Sequence, residues 1–114
     1  MNDCIFCKIV AGGIKSKIAY QDDNIVAFED IAPQAPTHLL FIPREHVDRI
    51  TEMGDAKIVS MIPKVFKAIA KVVSEKNMDS GYRVVLNQGS EAGQAVGHLH
   101  FHLLAGRRMS WPPG

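Results

Sequence analysis

The strongest pattern in the chain is an alternation of histidine and apolar residues over 97–104. The sequence there is Gly-His-Leu-His-Phe-His-Leu-Leu, with His98, His100 and His102 at every second position. Successive side chains of a β-strand point to opposite faces of the sheet. The pattern therefore predicts a strand that presents three imidazoles on one face and core residues on the other.

Shorter apolar runs, separated by turn residues, predict four further strands over 18–21, 25–30, 37–43 and 82–87. Apolar residues at helical spacing predict a short helix near the N-terminus, ended by Gly12-Gly13, and a long helix over 55–76. A short helix is also expected over 47–52. Pro63 lies within the long helical pattern and is expected to kink that helix or split it in two.

These elements predict an α+β fold with a five-stranded antiparallel sheet, one long helix and a short N-terminal helix. A chain of 114 residues is long enough for one core but too short for two. We therefore expect a single domain over residues 1–114.

Composition excludes several classes of partner. The net charge of +1 gives no strong field for nucleic acid or for an anionic membrane surface. No apolar stretch approaches the about 20 residues of a membrane span, and the start Met1-Asn2-Asp3 lacks the basic region of a signal peptide. The expected location is the cytoplasm.

Cys4 and Cys7 form a Cys-x-x-Cys motif, and in a cytoplasmic chain they are expected to be reduced or metal-bound rather than disulfide-bonded. The redox form of this motif follows a strand, and no strand precedes Cys4. Metal binding therefore fits better than redox chemistry. From this motif alone, two buried thiols that pack as small apolar side chains are an alternative of similar weight.

The histidine row permits three kinds of site. Two imidazoles on one strand face can bind zinc with a ligand from elsewhere. Alternatively, the central imidazole can attack phosphorus while a neighbouring histidine and the glycine-rich loop over 87–97 stabilise the phosphate charge. The third possibility is an exposed polar sheet face without chemistry.

The row His98 to Leu104 resembles the His-φ-His-φ-His-φ-φ signature of the histidine-triad (HIT) superfamily, where φ is apolar. The resemblance to its Hint branch covers essentially the whole chain. The further matching motifs are Ile5-Phe6, Lys8-Ile9, Phe28-Glu29-Asp30-Ile31, Pro33-Gln34-Ala35-Pro36-Thr37-His38, Ile42-Pro43, His46, Gly81-Tyr82-Arg83, Gly93-Gln94 and Trp111-Pro112-Pro113-Gly114.

This resemblance implies a homodimer that binds purine nucleoside monophosphates and hydrolyses nucleoside phosphoramidates, such as adenosine 5′-monophosphoramidate. His100 would attack phosphorus to form a nucleotidyl-histidine, while its other ring nitrogen donates to a backbone carbonyl. His102 would bind the phosphate oxygens, and His38 would support the site. His98, the first of the triad, would also belong to this catalytic set. No cofactor would be required for catalysis.

The resemblance also implies a nucleotide pocket. Asp30 would bind the ribose hydroxyls. The phosphate would lie against Asn87, Gly93, Gln94, Ala95 and Val96, and the purine base between Ile5, Phe6, Ile9, Ile14, Phe28 and Ile31. The tail over 107–114 would place Trp111 near the partner subunit's site.

The chain departs from the Hint pattern at two positions. Ala95 replaces a serine thought to contact the phosphate or the leaving group, and Ser110 replaces a histidine before Trp111. The first change bears on turnover and leaving-group preference, and the second bears on substrate preference. Removing one donor from a charged transition state costs about 2.7–4 kcal/mol in oxyanion holes.

Similarity to bacterial HIT relatives further implies a zinc ion held by Cys4, Cys7, His46 and His98. A closed set of two cysteines and two histidines is a structural zinc set. Three other functions remain open: a dinucleoside polyphosphate hydrolase, a nucleotide-binding scaffold with little turnover, and a zinc enzyme that uses the triad as ligands.

The open edge of the predicted sheet is a second reason to expect a dimer. A strand over 82–87 at the edge of a five-stranded sheet would expose unpaired backbone groups. Two-fold pairing of this edge would give a ten-stranded sheet with the long helices packed across the axis.

Overall fold

The computed structural model describes residues 3–114. Met1 and Asn2 lie outside the described residues, and the predictions of a domain start at residue 1 and of no signal peptide fall on them. The described residues form two α-helices and five strands: α1 Ile5–Val10, β1 Ile18–Gln21, β2 Ile25–Glu29, β3 Thr37–Pro43, α2 Asp55–Glu75, β4 Tyr82–Leu86 and β5 Phe101–Ala105. Single 3₁₀ turns occur at Ile50–Glu52 and Ser90–Ala92.

The five strands form one antiparallel sheet in the order β1-β2-β3-β5-β4. The predicted α+β fold is therefore confirmed. The apolar strand β3 lies at the centre, and β4 lies at an edge, as predicted for the strand over 82–87. The central pair β3 and β5 brings His38 and His102 onto adjacent strands.

The hairpin between β1 and β2 is closed by the side chain of Asp22. Its Oδ1 accepts hydrogen bonds from the backbone N–H groups of Asn24 and Ile25, each at 2.7 Å. A carboxylate that accepts from the backbone two and three residues later is the Asx turn that favours aspartate here.

One face of the sheet packs against α2. The core between them contains Ile25, Ala27, Leu39, Phe41, Val65, Ile69, Val72, Leu99, Phe101 and Leu103. The apolar residues that alternate with the histidines therefore face α2, as the pattern predicted. The opposite face carries a smaller cluster beneath α1, made of Phe6, Val26, Phe28, Leu40 and Ile42.

Helix α2 continues through Pro63, so of the two predicted outcomes, a kink or a split, the split is wrong. Proline lacks the N–H that would pair with the carbonyl of Val59, which costs helix stability. Both residues are exposed, so water can reach the unpaired carbonyl, while Met61 and Val65 on the opposite side are buried. Packing of this buried face keeps the two halves in one helix.

The short helix predicted over 47–52 is reduced to the 3₁₀ turn Ile50–Glu52. The segment before it is engaged elsewhere, since the carbonyl of Val47 accepts from the N–H of Leu99 at 2.6 Å. No helix of the described residues is long and apolar enough to cross a membrane.

Candidate active site

The histidine row is only partly a strand. β5 begins at Phe101, so the predicted strand over 97–104 is wrong for His98, Leu99 and His100. The backbone of Leu99 bonds to Val47 instead of joining the sheet. The alternation of faces nevertheless persists through this segment, with Leu99 in the core beside α2.

Three of the four histidines at this site are deeply buried. His98 is 0% exposed, His100 5% and His38 6%, whereas His102 is half-buried. An exposed polar sheet face is therefore the wrong interpretation of the row. Buried imidazoles require hydrogen-bond partners, and the partners fix which ring nitrogen carries the proton.

The ring of His100 is oriented by the backbone of His98. Nδ1 of His100 lies 2.7 Å from the carbonyl oxygen of His98. A carbonyl can only accept, so Nδ1 carries the proton and donates. The neutral ring then has its lone pair on Nε2, which is the tautomer that a nucleophile needs.

His38 and His102 form a second chain of hydrogen bonds. The backbone N–H of Gln34 donates to Nδ1 of His38 at 3.0 Å, so the proton of neutral His38 is on Nε2. That Nε2 donates to Nδ1 of His102 at 2.9 Å. The proton of His102 is consequently on its Nε2, where it can donate to a phosphate oxygen.

Burial keeps these two rings neutral. Desolvation, followed by the nearby His100 and His38, lowers the pKa of His102 to about 4. Desolvation also lowers the pKa of His38, against the opposing effect of Asp30. Both rings are therefore uncharged donors at neutral pH.

Asp30 lies between the histidines and an open cavity. Its Oδ2 is 3.4 Å from Nε2 of His38, and its Oδ1 accepts from the N–H of Ala32 at 2.9 Å. The adjacent cavity of ≈ 550 Å³ is lined by Lys15, Ser16, Lys17, Glu29, Asp30 and Ile31. A ligand in this cavity would reach the carboxylate of Asp30.

The apolar residues predicted to hold a purine base are only partly assembled. Phe6 and Phe28 are buried in edge-to-face contact, with ring centroids 5.3 Å apart, and Ile9 packs against the same cluster. Ile14 is half-buried. Ile5 and Ile31 are 45% and 97% exposed and lie outside that cluster.

The loop after β4 presents backbone donors. Gly89 and Gly93 have φ values of +88° and +83°, which favour glycine, and they flank the 3₁₀ turn Ser90–Ala92. Within residues 3–114, the N–H groups of Ala95 and Val96 donate to no protein acceptor. Asn87 is half-buried at the start of this loop. The two N–H groups can bind an anion.

The side chain of Gln94 holds this loop in place. Its Oε1 accepts from the N–H of Gly89 at 2.8 Å, and its Nε2 donates to Oδ1 of Asp48 at 2.9 Å and to the carbonyl of Val96 at 3.2 Å. Both the oxygen and the nitrogen of the Gln94 amide are therefore hydrogen-bonded within the protein. Gln94 acts through the loop that it positions, and not through a free side chain.

Asp48 and Gln88 support the same loop and were not predicted from the sequence. Oε1 of Gln88 accepts from the N–H of Ile50 at 2.7 Å. The carboxylate of Asp48 lies against Gly97, where an added Cβ would be 3.6 Å from Oδ1. These contacts join segments far apart in the chain, so no local pattern marks them.

The four predicted metal ligands converge at one point. The ligand atoms of Cys4, Cys7, His46 and His98 all lie within 4.8 Å of one another. Nδ1 of His98 is 3.4 and 3.5 Å from the two sulfurs, and Nδ1 of His46 is 3.2 Å from that of Cys7. Sulfur and nitrogen ligands of one tetrahedral zinc are about 3.6 Å apart, so this cluster fits zinc.

His98 is also prepared as a ligand by its second nitrogen. Its Nε2 lies 2.8 Å from the carbonyl oxygen of Pro43 and donates to it. This bond places the lone pair of the neutral ring on Nδ1, which faces the sulfurs. Burial, the largest influence, lowers the pKa of His98 and favours the neutral, ligating form.

A family model described as "HIT domain" matches residues 11–109. The chain belongs to the HIT domain family. Crystallography of a HIT family hydrolase from Legionella pneumophila Philadelphia 1 gives a similar fold, with TM-score 0.94 and 43% identity over 98% of this chain and 100% of that chain. The structure of a histidine triad nucleotide-binding protein from Candida albicans has TM-score 0.78 and 32% identity, covering 96% of this chain and 83% of that chain.

The chain is also similar to the "14 kDa zinc-binding protein" of Zea mays. It is 44% identical over 115 residues, which cover 96% of this chain and 87% of the relative. The HIT domain match at 11–109 includes the histidine row, whereas Cys4, Cys7 and Trp111 lie outside it. The family match therefore says nothing about the two cysteines near the N-terminus or about Trp111 near the C-terminus.

The C-terminal tail of this HIT domain contacts β4 through the side chain of Arg83. Nη2 of Arg83 in β4 donates to the carbonyl of Ser110 at 2.9 Å. Trp111 follows and is 82% exposed. The tail thus places a large aromatic side chain in solvent, on the same edge that was predicted to pair with a second subunit.

Proposed function

We propose that this HIT protein belongs to the Hint branch and hydrolyses purine nucleoside 5′-phosphoramidates through a nucleotidyl-histidine intermediate on His100. The observation that carries the proposal is the 2.7 Å bond from Nδ1 of His100 to the carbonyl of His98. It places the proton of the neutral ring on Nδ1, so the lone pair of this buried imidazole is on Nε2. Phosphorus is an electrophile that such a nitrogen can attack.

In the first step, Nε2 of His100 forms a bond to the α-phosphorus, and the bond from phosphorus to the leaving nitrogen breaks. The amine departs after taking up a proton from solvent. In the second step, water attacks phosphorus, the bond to Nε2 breaks, and a proton is released. The nucleoside monophosphate leaves, and the neutral ring of His100 is regenerated.

The phosphate oxygens are held by donors that carry no protein acceptor of their own. The bond from His38 places the proton of His102 on Nε2. The N–H groups of Ala95 and Val96 in the loop have no acceptor among the described residues. Fixed donors of this kind stabilise charge without reorganising during the reaction. Asn87 and Gly93 would complete the phosphate site.

The nucleoside would occupy the region from Asp30 to α1. The carboxylate of Asp30 can accept from the ribose hydroxyls, since Asp30 lines the ≈ 550 Å³ cavity. The aromatic pair Phe6 and Phe28 offers an apolar surface for the base, with Ile5, Ile9, Ile14 and Ile31 around it. The nucleotide-binding name of the Candida albicans relative supports this assignment.

The test compares two substrates at equal concentration, adenosine 5′-monophosphoramidate and a diadenosine polyphosphate. We expect the phosphoramidate to be turned over with the higher kcat/KM. A preference for the polyphosphate would support the dinucleoside polyphosphate hydrolase instead. Ala95 keeps a nucleotide-binding scaffold in consideration, and binding of adenosine monophosphate without any turnover would establish it.

We further propose that Cys4, Cys7, His46 and His98 hold a structural zinc ion. The donor set is the one that zinc uses in closed structural sites, and the name of the Zea mays relative supports it. Zinc there would cross-link α1 to the histidine row. We expect one zinc per chain in the wild type and much less in Cys7→Ser, with Lys8→Ser as the control.

Zinc chemistry at the triad itself is less well supported. Asp30, His38 and His102 also offer ligand atoms within 4.8 Å of one another. Both ring nitrogens of His38 are nevertheless engaged, with Gln34 and with His102. Turnover that survives thorough chelation would exclude a catalytic metal, and turnover abolished by chelation in a folded protein would favour it.

We propose a homodimer in which the β4 edges of two subunits pair into a ten-stranded sheet, with Trp111 reaching the partner's site. One HIT domain over 1–114, in the cytoplasm, would form each subunit. Support comes from the exposed edge strand and from the 82% exposure of Trp111 beside it. Sedimentation equilibrium should give twice the chain mass, and Val84→Pro in β4 should give monomers.

A further inference from the structure

Helix α1 belongs to the Cys/His cluster through Cys7 and contacts the ring of His100 through Phe6. The Sγ of Cys4 caps this helix by accepting from the N–H of Cys7 at 3.4 Å. Phe6, placed between the two cysteines in the chain, packs edge-on against His100 with ring centroids 5.2 Å apart. The same ring packs against His98 at 6.0 Å. A single side chain of α1 thus contacts both sites.

His98 provides a second, more direct connection. Its ring nitrogen Nδ1 belongs to the cluster, while its backbone carbonyl accepts from Nδ1 of His100. The bond from Nε2 to Pro43 orients the ring, and full burial means that the ring cannot shift without displacing its own backbone. A ligand that fixes the ring of His98 therefore also fixes the carbonyl that selects the tautomer of His100.

The position of α1 depends on these contacts. Six residues are too few for a helix that is stable in isolation. Within α1 only Phe6 is buried, with Ile9 and Val10 partly buried against the same cluster, so a cross-link through Cys4 and Cys7 would add a strong attachment to a few apolar contacts. Loosening this helix would disturb the wall of the proposed base pocket, and apparent affinity falls with the fraction of protein in the binding-competent arrangement.

We propose that metal binding at Cys4, Cys7, His46 and His98 and nucleotide binding at the histidine site are thermodynamically coupled. Bound Zn²⁺ holds α1 and His98 in the arrangement that binds adenosine monophosphate, so each ligand tightens binding of the other. The proposal rests on the proposed function for its nucleotide site. Coupling between sites typically changes affinity 5- to 150-fold, and we expect about tenfold here.

The test is calorimetric titration of adenosine monophosphate into zinc-loaded and metal-depleted protein. Binding, unlike turnover, reports the coupling even if the enzyme proves slow. We expect the dissociation constant to rise about tenfold on metal removal. By linkage, saturating adenosine monophosphate should tighten Zn²⁺ binding by the same factor, measured by competition with a chromophoric chelator.

His46 offers a matched pair of variants because it is exposed and lies outside the nucleotide pocket. His46→Ala removes one ligand, whereas His46→Cys keeps four ligands of a kind that structural zinc accepts. Both are compared at a temperature where each retains the helical circular dichroism of the wild type. His46→Ala should bind adenosine monophosphate like the metal-depleted protein, and His46→Cys like the zinc-loaded one.

Equal affinity for adenosine monophosphate with and without Zn²⁺ would overturn the coupling and leave the proposed hydrolase intact. Absence of nucleotide binding in both states would overturn the proposed function and the coupling together. Phe6→Leu separates the two connections. It keeps all four ligands, and a smaller effect of Zn²⁺ in this variant is expected if the ring of Phe6 carries part of the coupling.

Discussion

Nε2 of His38 lies 2.9 Å from Nδ1 of His102, and this contact determines where His102 carries its proton. The backbone N–H of Gln34 fixes the tautomer of His38 from the other side. Two strands that are neighbours only in the folded sheet thereby orient the donor that we propose for the phosphate. His38 is a positioning residue in this account, because it acts through His102.

Replacing His38 should impair turnover more than binding. We expect His38→Ala to lower kcat about 10- to 100-fold, the range typical for partners that orient a functional imidazole, with a smaller change in KM. His38→Gln retains a side-chain N–H and should recover part of the loss. Long-range ¹H–¹⁵N spectra of the imidazoles report the tautomer of His102. An unchanged kcat in His38→Ala would remove His38 from the mechanism.

Acid should destabilise the protein through His102. Its pKa is about 4 in the folded chain against the ordinary 6.5, because burial disfavours the charged ring. Between these values the unfolded chain binds a proton that the folded chain does not, so the free energy of unfolding falls as pH drops from about 6.5 to 4. The lowered pKa of His38 acts in the same direction.

We expect this loss to be on the order of 1–3 kcal/mol, because His102 retains some solvent exposure. Urea unfolding at a series of pH values measures it, and His102→Asn should have a shallower dependence on pH than the wild type. Identical slopes for the two proteins would contradict the assignment.

The bond between Gln94 and Asp48 can be tested by exchanging donor and acceptor. Gln94→Glu places a carboxylate against Oδ1 of Asp48, which Nε2 of Gln94 now contacts at 2.9 Å. We expect it to lower stability by about 1–3 kcal/mol and to lower kcat through displacement of the loop. Asp48→Asn combined with Gln94→Glu restores a donor and an acceptor between these two side chains. We expect partial recovery, because the bonds from Nε2 of Gln94 to the carbonyls of Asp48 and Val96 stay lost.

Recovery of kcat in the double variant is the decisive measurement for this pair. A simple loss of packing would not be repaired by moving the amide to position 48. Additive losses from the two substitutions would show that the bond does not position the loop.

The sheet, and the face to which each side chain of the histidine row points, could be predicted because the alternation of polar and apolar residues is a local property of the sequence. His98 and Leu99 keep opposite faces even where the strand has ended. The start of β5 at Phe101 was not predictable, since it depends on the bond from Leu99 to Val47, more than 50 residues away in the chain. Pro63 illustrates the same limit, because packing of the neighbouring buried face keeps α2 in one piece.

For the candidate site, the resemblance to HIT proteins identified residues that no spacing connects. His38 and His102 are 64 positions apart, and only the pairing of β3 with β5 brings them together. Asp48 and Gln88 were missed because the loop that they support is held by tertiary hydrogen bonds. In the proposed phosphate site, Ala95, where the Hint pattern has serine, would contribute its backbone N–H whichever side chain is present.

The central claim is that His100 is the nucleophile, and His100→Ala tests it most directly. Turnover of adenosine 5′-monophosphoramidate should fall at least about 10³-fold, as for other lost nucleophiles, while adenosine monophosphate remains bound. Rapid acid-free quenching and mass spectrometry of the wild type should find the nucleotidyl group on His100. Wild-type turnover by His100→Ala would contradict the account.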